Sequence, residues 1–336
     1  MPEITVFMTA FNASRHISEA INSILNQTFQ DFELLVIDDG SIDETYNIAA
    51  SFTDSRIRII KNEQNKGLLF SRNIALKEAR GKYLAILDSD DIAVTNRLDI
   101  QYKEFQNRPN LALLGTSALV INDSGNETDE KIDVKYGNEK IRTELFFGNT
   151  FVHSSIMMKL EVLRIVGGYQ VHLAEDYDLW IRIAMNHEVD NLNLPLVKYR
   201  KHDNNISKIQ EEKLRAELYP IKQKQLEKIN IKISKEIFEI MTQYPTQNKY
   251  SLEEYRQVIL NILQQNNSYK FFEPYTLRKK LFSLWYEAIL NEPNYKALPL
   301  LFQKDIFSWE YVTFKQIRKT FKLSLKSIFG ISKNKT

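Results

Sequence analysis

Residues 81–91 read GKYLAILDSDD, a short apolar run at 83–87 that ends abruptly in three aspartates. Residues 32–41 read FELLVIDDGS and have the same form, with an apolar run that ends in Asp38 and Asp39. Both runs are too short for a helix and apolar enough to be strands buried on both faces, which is typical of parallel sheets. The interpretation of the N-terminal half starts from these two acidic strand ends.

The segments around these two runs alternate between strand and helix patterns. Apolar strand candidates lie at residues 4–8 and 57–60, and helical periodicity is found at residues 17–25, 45–52 and 67–79. Strands separated by helices of about 10–13 residues indicate βαβ units around a parallel sheet. We therefore predict an α/β fold whose mostly parallel central sheet is flanked by helices.

Two acidic strand ends in one parallel sheet have a chemical consequence. Ligands of such sheets bind beyond the carboxyl ends of the strands, so both acidic groups are expected to face one crevice. Like charges in one cleft repel unless a cation or hydrogen-bond donors neutralise them, and carboxylate oxygens suit Mg²⁺ or Mn²⁺. The residues alone indicate a metal–nucleotide site, and the alternative is that the acids form turns and helix N-caps.

The composition limits the classes of protein that fit. The chain has 336 residues, 43% of them apolar and 26% charged, which is ordinary for a globular protein of about two domains. It has no Cys, which excludes disulfide frameworks, Cys-ligated metals and thiol nucleophiles. No apolar run is long enough to span a membrane, and the first residues lack the pattern of a signal peptide. These features favour a cytoplasmic location.

The net charge of +2 conceals an uneven distribution along the chain. Residues 314–336 contain seven Lys or Arg and no Asp or Glu, so residues 1–313 carry −5, which argues against nucleic-acid binding. Two stripes at helical spacing occur in this tail, one apolar and one basic: Phe314, Ile317, Phe321, Leu325 and Ile328, and Lys315, Lys319, Lys322 and Lys326. Two interpretations stay open, a helix lying on an anionic membrane surface or a terminal helix packed on the protein.

An ordered set of motifs in the N-terminal half resembles family 2 glycosyltransferases. The motifs are TVFMTAFN at 5–12, QTFQDFELLVIDDGS at 27–41, NKG at 65–67, SRN at 71–73 and GKYLAILDSDD at 81–91. With later segments the resemblance covers about residues 3–205. It implies a GT-A fold and an enzyme that moves a hexosyl or N-acetylhexosaminyl group from a nucleotide-diphosphate sugar, usually with inversion. Bacterial polysaccharide and lipopolysaccharide sugar transferases are of this type.

The resemblance assigns the nucleoside contacts to the ends of the first two strands. Thr9, Ala10 and Phe11 match the family's nucleoside-contacting turn, and Asp39 matches the acid that holds the uracil or the ribose. Phe11 stands where the family often has Tyr, which removes one polar contact and keeps a stacking surface. The acid at position 39 favours UDP as the donor nucleotide.

The other donor residues match a loop and helix start and the Asp-x-Asp motif: Lys66, Gly67, Arg72, Asp88, Ser89 and Asp90. In the family motif the first acid, here Asp88, contacts the ribose, and the second, here Asp90, binds the metal, Mn²⁺ or Mg²⁺. From the residues alone, Lys66 and Arg72 could equally be solvated charges where a helix begins.

The segment AEDYDLW at 174–180 supplies a candidate catalytic base. A sugar hydroxyl is a poor nucleophile and needs a base close to its proton, and a carboxylate at the start of a helix can project into a cleft. Asp176 matches the family's base, and Glu175 is expected to orient it or contact the metal. The alternative is an acidic first turn that only favours the helix dipole.

The segment LVKYRKH at 196–202 alternates like a strand and resembles the part of the family that closes the site over the diphosphate. Arg200 and His202 are expected to balance phosphate charge, and His202 is an alternative metal ligand. Residues 123–140 are polar and poorly patterned, and we expect a mobile loop over the acceptor there. A lone histidine is more often structural, so His153 carries less weight.

These expectations divide the chain into a GT-A domain at 1–205, an α-helical accessory domain at 206–313 and a basic amphipathic tail at 314–336. Within the first, residues 1–107 form the nucleotide-sugar-binding half and 108–205 the acceptor half. The expected reaction is inverting, metal-dependent transfer to a hydroxyl of a glycan or lipid-linked glycan, at the inner membrane face if the tail binds lipid. The alternatives are a metal-dependent nucleotidyltransferase and a non-catalytic glycan-binding scaffold with a relict site.

Overall fold

The structure is a computed structural model that describes residues 1–172, 174–202, 211–228, 234, 250–292 and 295–328. The chain forms two compact units: Met1–Leu145 with Asn149–Leu218, and Phe146–Gly148 with Tyr219–Thr336. The first unit contains the sheet, and the described part of the second is helical. The domain boundaries expected from the sequence stay predictions.

The first unit is α/β. Four parallel strands form one half of its sheet: β1 (Ile4–Ala10), β2 (Phe32–Asp38), β3 (Ile57–Lys61) and β4 (Tyr83–Ile86). They alternate with α1 (Ile17–Leu25), α2 (Thr45–Ala50) and α3 (Leu68–Glu78). Every residue of β1, β2 and β4 is buried, as expected of strands that are covered on both faces. The predicted βαβ units are confirmed.

The other half of the sheet mixes parallel and antiparallel pairs. Its strands are β5 (Ile92–Ala93), β6 (Leu111–Ile121), β7 (Glu127–Ile132), β8 (Met157–Lys159) and β9 (Glu188–Arg200). The sheet order is β3-β2-β1-β4-β8-β6-β9-β5, with β7 paired to β6. The helices here are α4 (Arg97–Asn107), α5 (Asn138–Phe147), α6 (Leu160–Ile165) and α7 (Glu175–Ala184). Antiparallel β8 between β4 and β6 brings the segment before it to the carboxyl end of β4.

The expectation of a mobile loop over residues 123–140 is wrong for much of that segment. Glu127–Ile132 form β7, which pairs antiparallel with β6 after a turn at 122–126. All but the last residue of β7 are exposed, so this strand needs no apolar face. Its polar side chains hide the alternation by which a strand is recognised in a sequence.

The register of the parallel strands places both acidic strand ends at one edge of the sheet. β1 lies between β2 and β4, with Ala10 level with Asp38 and Phe7 level with Ile86. Asp39 and Asp88 therefore leave the same edge two strands apart, a spacing of about 10 Å. The turn after β2 requires Gly40, whose φ is +72° and where a side chain would collide with the backbone of the neighbouring loop.

The described part of the second unit is built from helices. After α8 (Glu211–Lys228) come α9 (Leu252–Tyr269), α10 (Pro274–Asn291) and α11 (Phe314–Ile328), with short 3-10 segments at Tyr295–Phe302 and Trp309–Tyr311. A capping box of Ser251 and Glu254 begins α9, and Pro274 occupies the first turn of α10. Much of the helix expected at 207–241 lies outside the described residues. No helix within the described ranges is long and apolar enough to cross a membrane.

Lys222 of α8 is a buried lysine, only 2% exposed, whose ammonium donates to the carbonyl of Phe147 at 3.0 Å. Burial, and then the charge of Lys280, lower the pKa of Lys222 to about 7. The unfolded chain therefore binds this proton more readily than the folded chain. The contribution of Lys222 to stability is least favourable below pH 7 and improves as the pH rises from about 7 towards the unfolded value of 10.5.

We expect Lys222→Met to raise the free energy of unfolding at pH 7 by about 2 kcal/mol, because it removes a buried amine that the fold disfavours in its charged form. The gain should shrink as the pH approaches about 10, in chemical denaturation followed by circular dichroism. Lys224→Met, at an exposed position of the same helix, is the matched control and should show no such trend. A variant less stable at both pH values would mean that the bond to Phe147 outweighs desolvation.

Candidate active site

Asp39 lies directly after β2, and protein hydrogen bonds hold its carboxylate in place. It is 4% exposed, and its Oδ1 accepts hydrogen bonds from the side-chain amide of Asn62 at 2.7 Å and from the N–H of Lys66 at 3.0 Å. Its Oδ2 accepts from the N–H of Gly67 at 2.8 Å. Three of the predicted donor residues are thus brought together, and Lys66 and Gly67 contact Asp39 through their backbone.

The turn after β1 lines the same strand edge. Thr9 and Ala10 are buried, and the carbonyl of Ala10 accepts the N–H of Asp39 at 2.8 Å. Phe11 is 45% exposed. The next residue, Asn12, has a φ of +51° and its N–H donates to Ser41 Oγ at 3.0 Å, which fastens this turn to the turn after β2. The ring of Phe11 is therefore an accessible stacking surface on a fixed turn.

Asp88, the first acid after β4, is held by two residues that the sequence interpretation did not include in the site. Its Oδ2 accepts from Ser154 Oγ at 2.7 Å and lies 3.0 Å from His153 Nδ1. Although burial acts in the opposite direction, His153 and then Arg72 keep the pKa of Asp88 well below its ordinary value. Asp88 is therefore a fixed, ionised carboxylate.

Asp90 and His202 are in direct contact, as their shared assignment to a metal would require. Asp90 Oδ2 lies 2.9 Å from His202 Nε2, and the His202 ring stacks with that of His16 at 6.2 Å. Burial and the neighbouring Asp88 raise the pKa of Asp90. Ser89, between the two acids of the motif, is partly exposed.

The residues in this turn fit a divalent cation that takes most of its ligands from a substrate. A carboxylate and an imidazole lie side by side, and Asp91 Oδ2 is buried without a hydrogen-bond partner. Within the part of the chain that the structure describes, no three His, Asp or Glu side chains form a complete metal site. One or two protein ligands plus phosphate oxygens are the usual arrangement for Mg²⁺ at nucleotide sites.

Arg200 is fully buried and braces the acidic turn from one side. Its N–H donates to Asp91 Oδ1 and its Nε to the carbonyl of Asp90, both at 2.7 Å. The guanidinium also donates to two carbonyls of the 122–126 turn and pairs with Glu19 at 2.5 Å. Its guanidinium is thus hydrogen-bonded to protein groups, and the contact with the donor diphosphate that the sequence suggests stays a prediction.

Arg97, at the start of α4, is a second buried arginine near the turn and was missed from the sequence. It donates to the carbonyl of Ile86 at 2.8 Å and to that of Ile156 at 3.1 Å. Burial lowers the pKa of Arg97 to about 9, against the attraction of Asp91 and Asp88. An arginine in the first turn of a helix is unfavourable, because that end of the helix dipole is positive. This unfavourable placement is the sequence feature by which Arg97 could have been identified.

Arg72 of α3 connects the acidic turn with α7. Its buried guanidinium forms an ion pair with Glu175, and its charge also interacts with Asp88 and Asp176. Burial disfavours the cation, but Glu175 raises the pKa of Arg72 above its ordinary value. The guanidinium lies 5.5 Å from the centre of the Tyr169 ring. Arg72 is therefore paired with Glu175 and also acts electrostatically on Asp88 and Asp176.

The two acids at the start of α7 have different environments. Glu175 is 6% exposed, and burial raises its pKa although its ion pair with Arg72 opposes this. Asp176 is partly exposed. Its Oδ1 accepts the N–H of Tyr177 at 2.6 Å, and its Oδ2 accepts the side-chain amide of Asn149 at 3.1 Å. Asp176 can thus reach a substrate, whereas Glu175 is committed to the protein.

Comparisons with known proteins place the chain among glycosyltransferases. The profile of a protein family described as Glycosyl transferase family 2 matches residues 5–164. An uncharacterized glycosyltransferase of Methanocaldococcus jannaschii is 38% identical over 222 residues, which cover 63% of this chain and 76% of that protein. The UDP-Glc:alpha-D-GlcNAc-diphosphoundecaprenol beta-1,3-glucosyltransferase WfgD of Escherichia coli is 33% identical over 208 residues, 61% of this chain and 79% of that protein.

The fold is also similar to that of solved structures. The crystal structure of S. aureus TarS 1-349 in complex with UDP-GlcNAc aligns with a TM-score of 0.56 and 18% identity. The alignment covers 87% of this chain and 89% of that chain. This likeness supports the GT-A type of α/β fold.

We expect Arg97→Met to lower the free energy of unfolding by about 3 kcal/mol, because buried carbonyls lose their donor and Asp88 and Asp91 lose a nearby cation. The loss should be larger at about pH 8 than at about pH 5, where protonation relieves repulsion among the acids. Chemical denaturation at both pH values measures this.

Lys103→Met, at an exposed position of the same helix, is the control for this variant and should change stability by less than about 0.5 kcal/mol. Equal losses at both pH values for Arg97→Met would show that Arg97 does not compensate the acids.

Proposed function

The chain belongs to glycosyl transferase family 2 and is a glycosyltransferase, and from that membership we propose an inverting, cation-assisted transfer from a UDP-sugar to a hydroxyl of a glycan or lipid-linked glycan. The single observation that carries this proposal is the buried ion pair of Arg72 with Glu175 at the start of α7, since the charge of Arg72 also lowers the pKa of Asp88. Arg72 thereby links the turn proposed to hold the donor with the helix start proposed to activate the acceptor.

The surroundings of Asp39 support a uridine nucleotide as the donor. A buried carboxylate held in place by backbone N–H groups can accept the ring N–H of uracil, and the exposed ring of Phe11 offers a stacking surface. The name of the E. coli relative specifies UDP-Glc, and the TarS crystal contains UDP-GlcNAc. We therefore propose UDP as the donor nucleotide, with Lys66 and Gly67 at the rim of its site.

Asp90 and His202 would hold Mn²⁺ or Mg²⁺, and such a cation supplies positive charge to the diphosphate as it departs. Asp88 is held by Ser154 and His153 so that it keeps one orientation, as the ribose contact implied by the family motif requires. Arg200 holds the backbone on which Asp90 lies. The donor half of the site is thus rigid before the substrate arrives.

Asp176 is proposed as the general base. The acceptor oxygen attacks the anomeric carbon from the face opposite the diphosphate, and a new C–O bond forms as the bond to the phosphate oxygen breaks. Asp176 takes the hydroxyl proton, and the nucleoside diphosphate leaves with the bonding electrons. Glu175 is unsuited to this step because it would have to give up its buried partner Arg72, so we assign it a positioning role.

A screen of nucleotide sugars, without acceptor and with a candidate glycan, tests the proposal as a whole. The proposed reaction releases a nucleoside diphosphate, most readily UDP, and does so faster when the acceptor is present. A nucleotidyltransferase would release pyrophosphate. A relict site would release neither product, and either of these results would overturn the proposal.

We expect Asp176→Asn to lower kcat by about 10²–10⁴-fold, because asparagine has nearly the same shape but cannot take the proton. Donor affinity should change little, since the substituted carboxylate is not part of the proposed donor site. Steady-state kinetics and calorimetric titration of UDP measure the two quantities separately. Loss of donor binding with turnover near normal would make Asp176 a donor ligand instead.

Asp90→Ala should abolish turnover and remove the effect of Mn²⁺ or Mg²⁺ on UDP affinity, because the proposed cation would lose its carboxylate ligand. The measurement is UDP titration with and without the metal ion. Asp129→Ala, on the exposed strand β7, is the matched control and should keep both properties. Full activity of the unmodified chain in EDTA would contradict the proposed metal dependence.

A further inference from the structure

The last described helix, α11, exposes its apolar face. Four residues on one stripe are accessible in the second unit: Phe314 is 74% exposed, Ile317 45%, Phe321 66% and Leu325 40%. An amphipathic helix that packs on a globular core buries this stripe. The apolar stripe of α11 is therefore largely accessible in the described part of the chain.

A different side of α11 attaches it to the second unit. The hydroxyl of Tyr286, on α10, donates to the carbonyl of Gln316 at 3.1 Å and accepts from Thr320 Oγ1 at 3.3 Å. Thr313 begins the helix, because its hydroxyl accepts the N–H of Gln316 at 3.2 Å and the Gln316 side chain accepts its N–H at 2.8 Å. The helix is thus held by its polar side while the apolar stripe faces outwards.

Four exposed cations lie next to the apolar stripe. They are Lys315, Arg318, Lys319 and Lys322. At about 100° per residue they occupy the sector on one side of the stripe, while Gln316 and Thr320 lie on its other side. Residues 314–336 contain no Asp or Glu, so nothing within this segment offsets the positive charge.

The segment before α11 adds exposed aromatic rings. Trp309 is 67% exposed and Phe302 50%, and both contact Phe307, with ring centres 5.1 Å apart in each case. Aromatic rings, tryptophan above all, are favoured at the boundary between lipid and water. This aromatic cluster ends five residues before α11 begins and belongs to the same unit.

We propose that α11 docks this chain on the surface of an anionic lipid bilayer, with Phe314, Ile317, Phe321 and Leu325 among the acyl chains and the cations at the headgroups. We favour a lipid surface over an uncharged apolar partner, because the cations lie next to the apolar stripe on one exposed side of the helix. Residues 1–313 carry −5, so an anionic surface attracts the tail and repels the rest. Attachment is reversible, because each cation contributes only about fivefold to the binding constant.

The test is cosedimentation of the full chain with vesicles of phosphatidylcholine alone or mixed with phosphatidylglycerol. Binding is expected to the mixed vesicles at low salt, and it should weaken as salt rises. The triple variant Lys315→Gln, Lys319→Gln and Lys322→Gln should lose about 100-fold in affinity at low salt. Phe314→Ser with Phe321→Ser should lose at least about tenfold, because the apolar contribution disappears.

The controls separate this proposal from loss of folding and from self-association. Ile165→Ser with Leu194→Ser changes two exposed apolar residues in the first unit and should leave vesicle binding intact. All substituted positions are exposed, so unfolding midpoints should not change. Equal binding to neutral and mixed vesicles, no binding at low salt, or a dimer in sedimentation velocity that the Phe314 and Phe321 variant abolishes would overturn the proposal. No donor or acceptor is used, so the result is independent of the proposed reaction.

Discussion

Compensation of buried negative charge is the constraint on which the first unit depends. Three aspartates lie within four residues at the end of β4, in surroundings that penalise their ionised forms. Buried arginines from three distant segments compensate this negative charge: Arg72 from α3, Arg97 from the start of α4 and Arg200 from the end of β9. Because breaking such an arrangement leaves an uncompensated charge in the interior, the helices and strands that carry the arginines cannot move independently of the acidic turn.

These ion pairs and hydrogen bonds limit the positive charge that the arginines can offer to a substrate. The guanidinium of Arg200 is hydrogen-bonded to Glu19 and to backbone carbonyls, and that of Arg72 is paired with Glu175. That favours the proposed cation at Asp90 and His202 as the source of positive charge for the leaving group. It also explains why adjacent acids on α7 differ in their proposed roles. Glu175 is paired with Arg72 and buried, whereas Asp176 is partly exposed.

The sequence predicts those features that depend on local pattern. Buried parallel strands leave unbroken apolar runs, so β1 to β4 and both acidic strand ends could be predicted. β7 could not, because an exposed edge strand has no apolar alternation.

The partners of Asp88 were missed because His153 and Ser154 reach it only through the antiparallel pairing of β8 with β4. The protein partners of Arg200 could not be predicted, because a motif gives the place of an arginine in the chain but not the direction of its guanidinium. The helical spacing of the tail predicts its apolar stripe. Whether that stripe is exposed depends on which side of α11 is bound by Tyr286, which the sequence does not indicate.

We propose that the acidic turn binds a divalent cation and a nucleoside diphosphate together, because the described residues offer no complete set of ligands for the ion alone. Electron paramagnetic resonance of Mn²⁺ in the presence of the chain tests this most directly, with and without UDP. The account predicts the broadened spectrum of an immobilised ion only when the chain, Mn²⁺ and UDP are all present. Immobilised Mn²⁺ to the same extent without UDP, or free Mn²⁺ in the complete mixture, would contradict it.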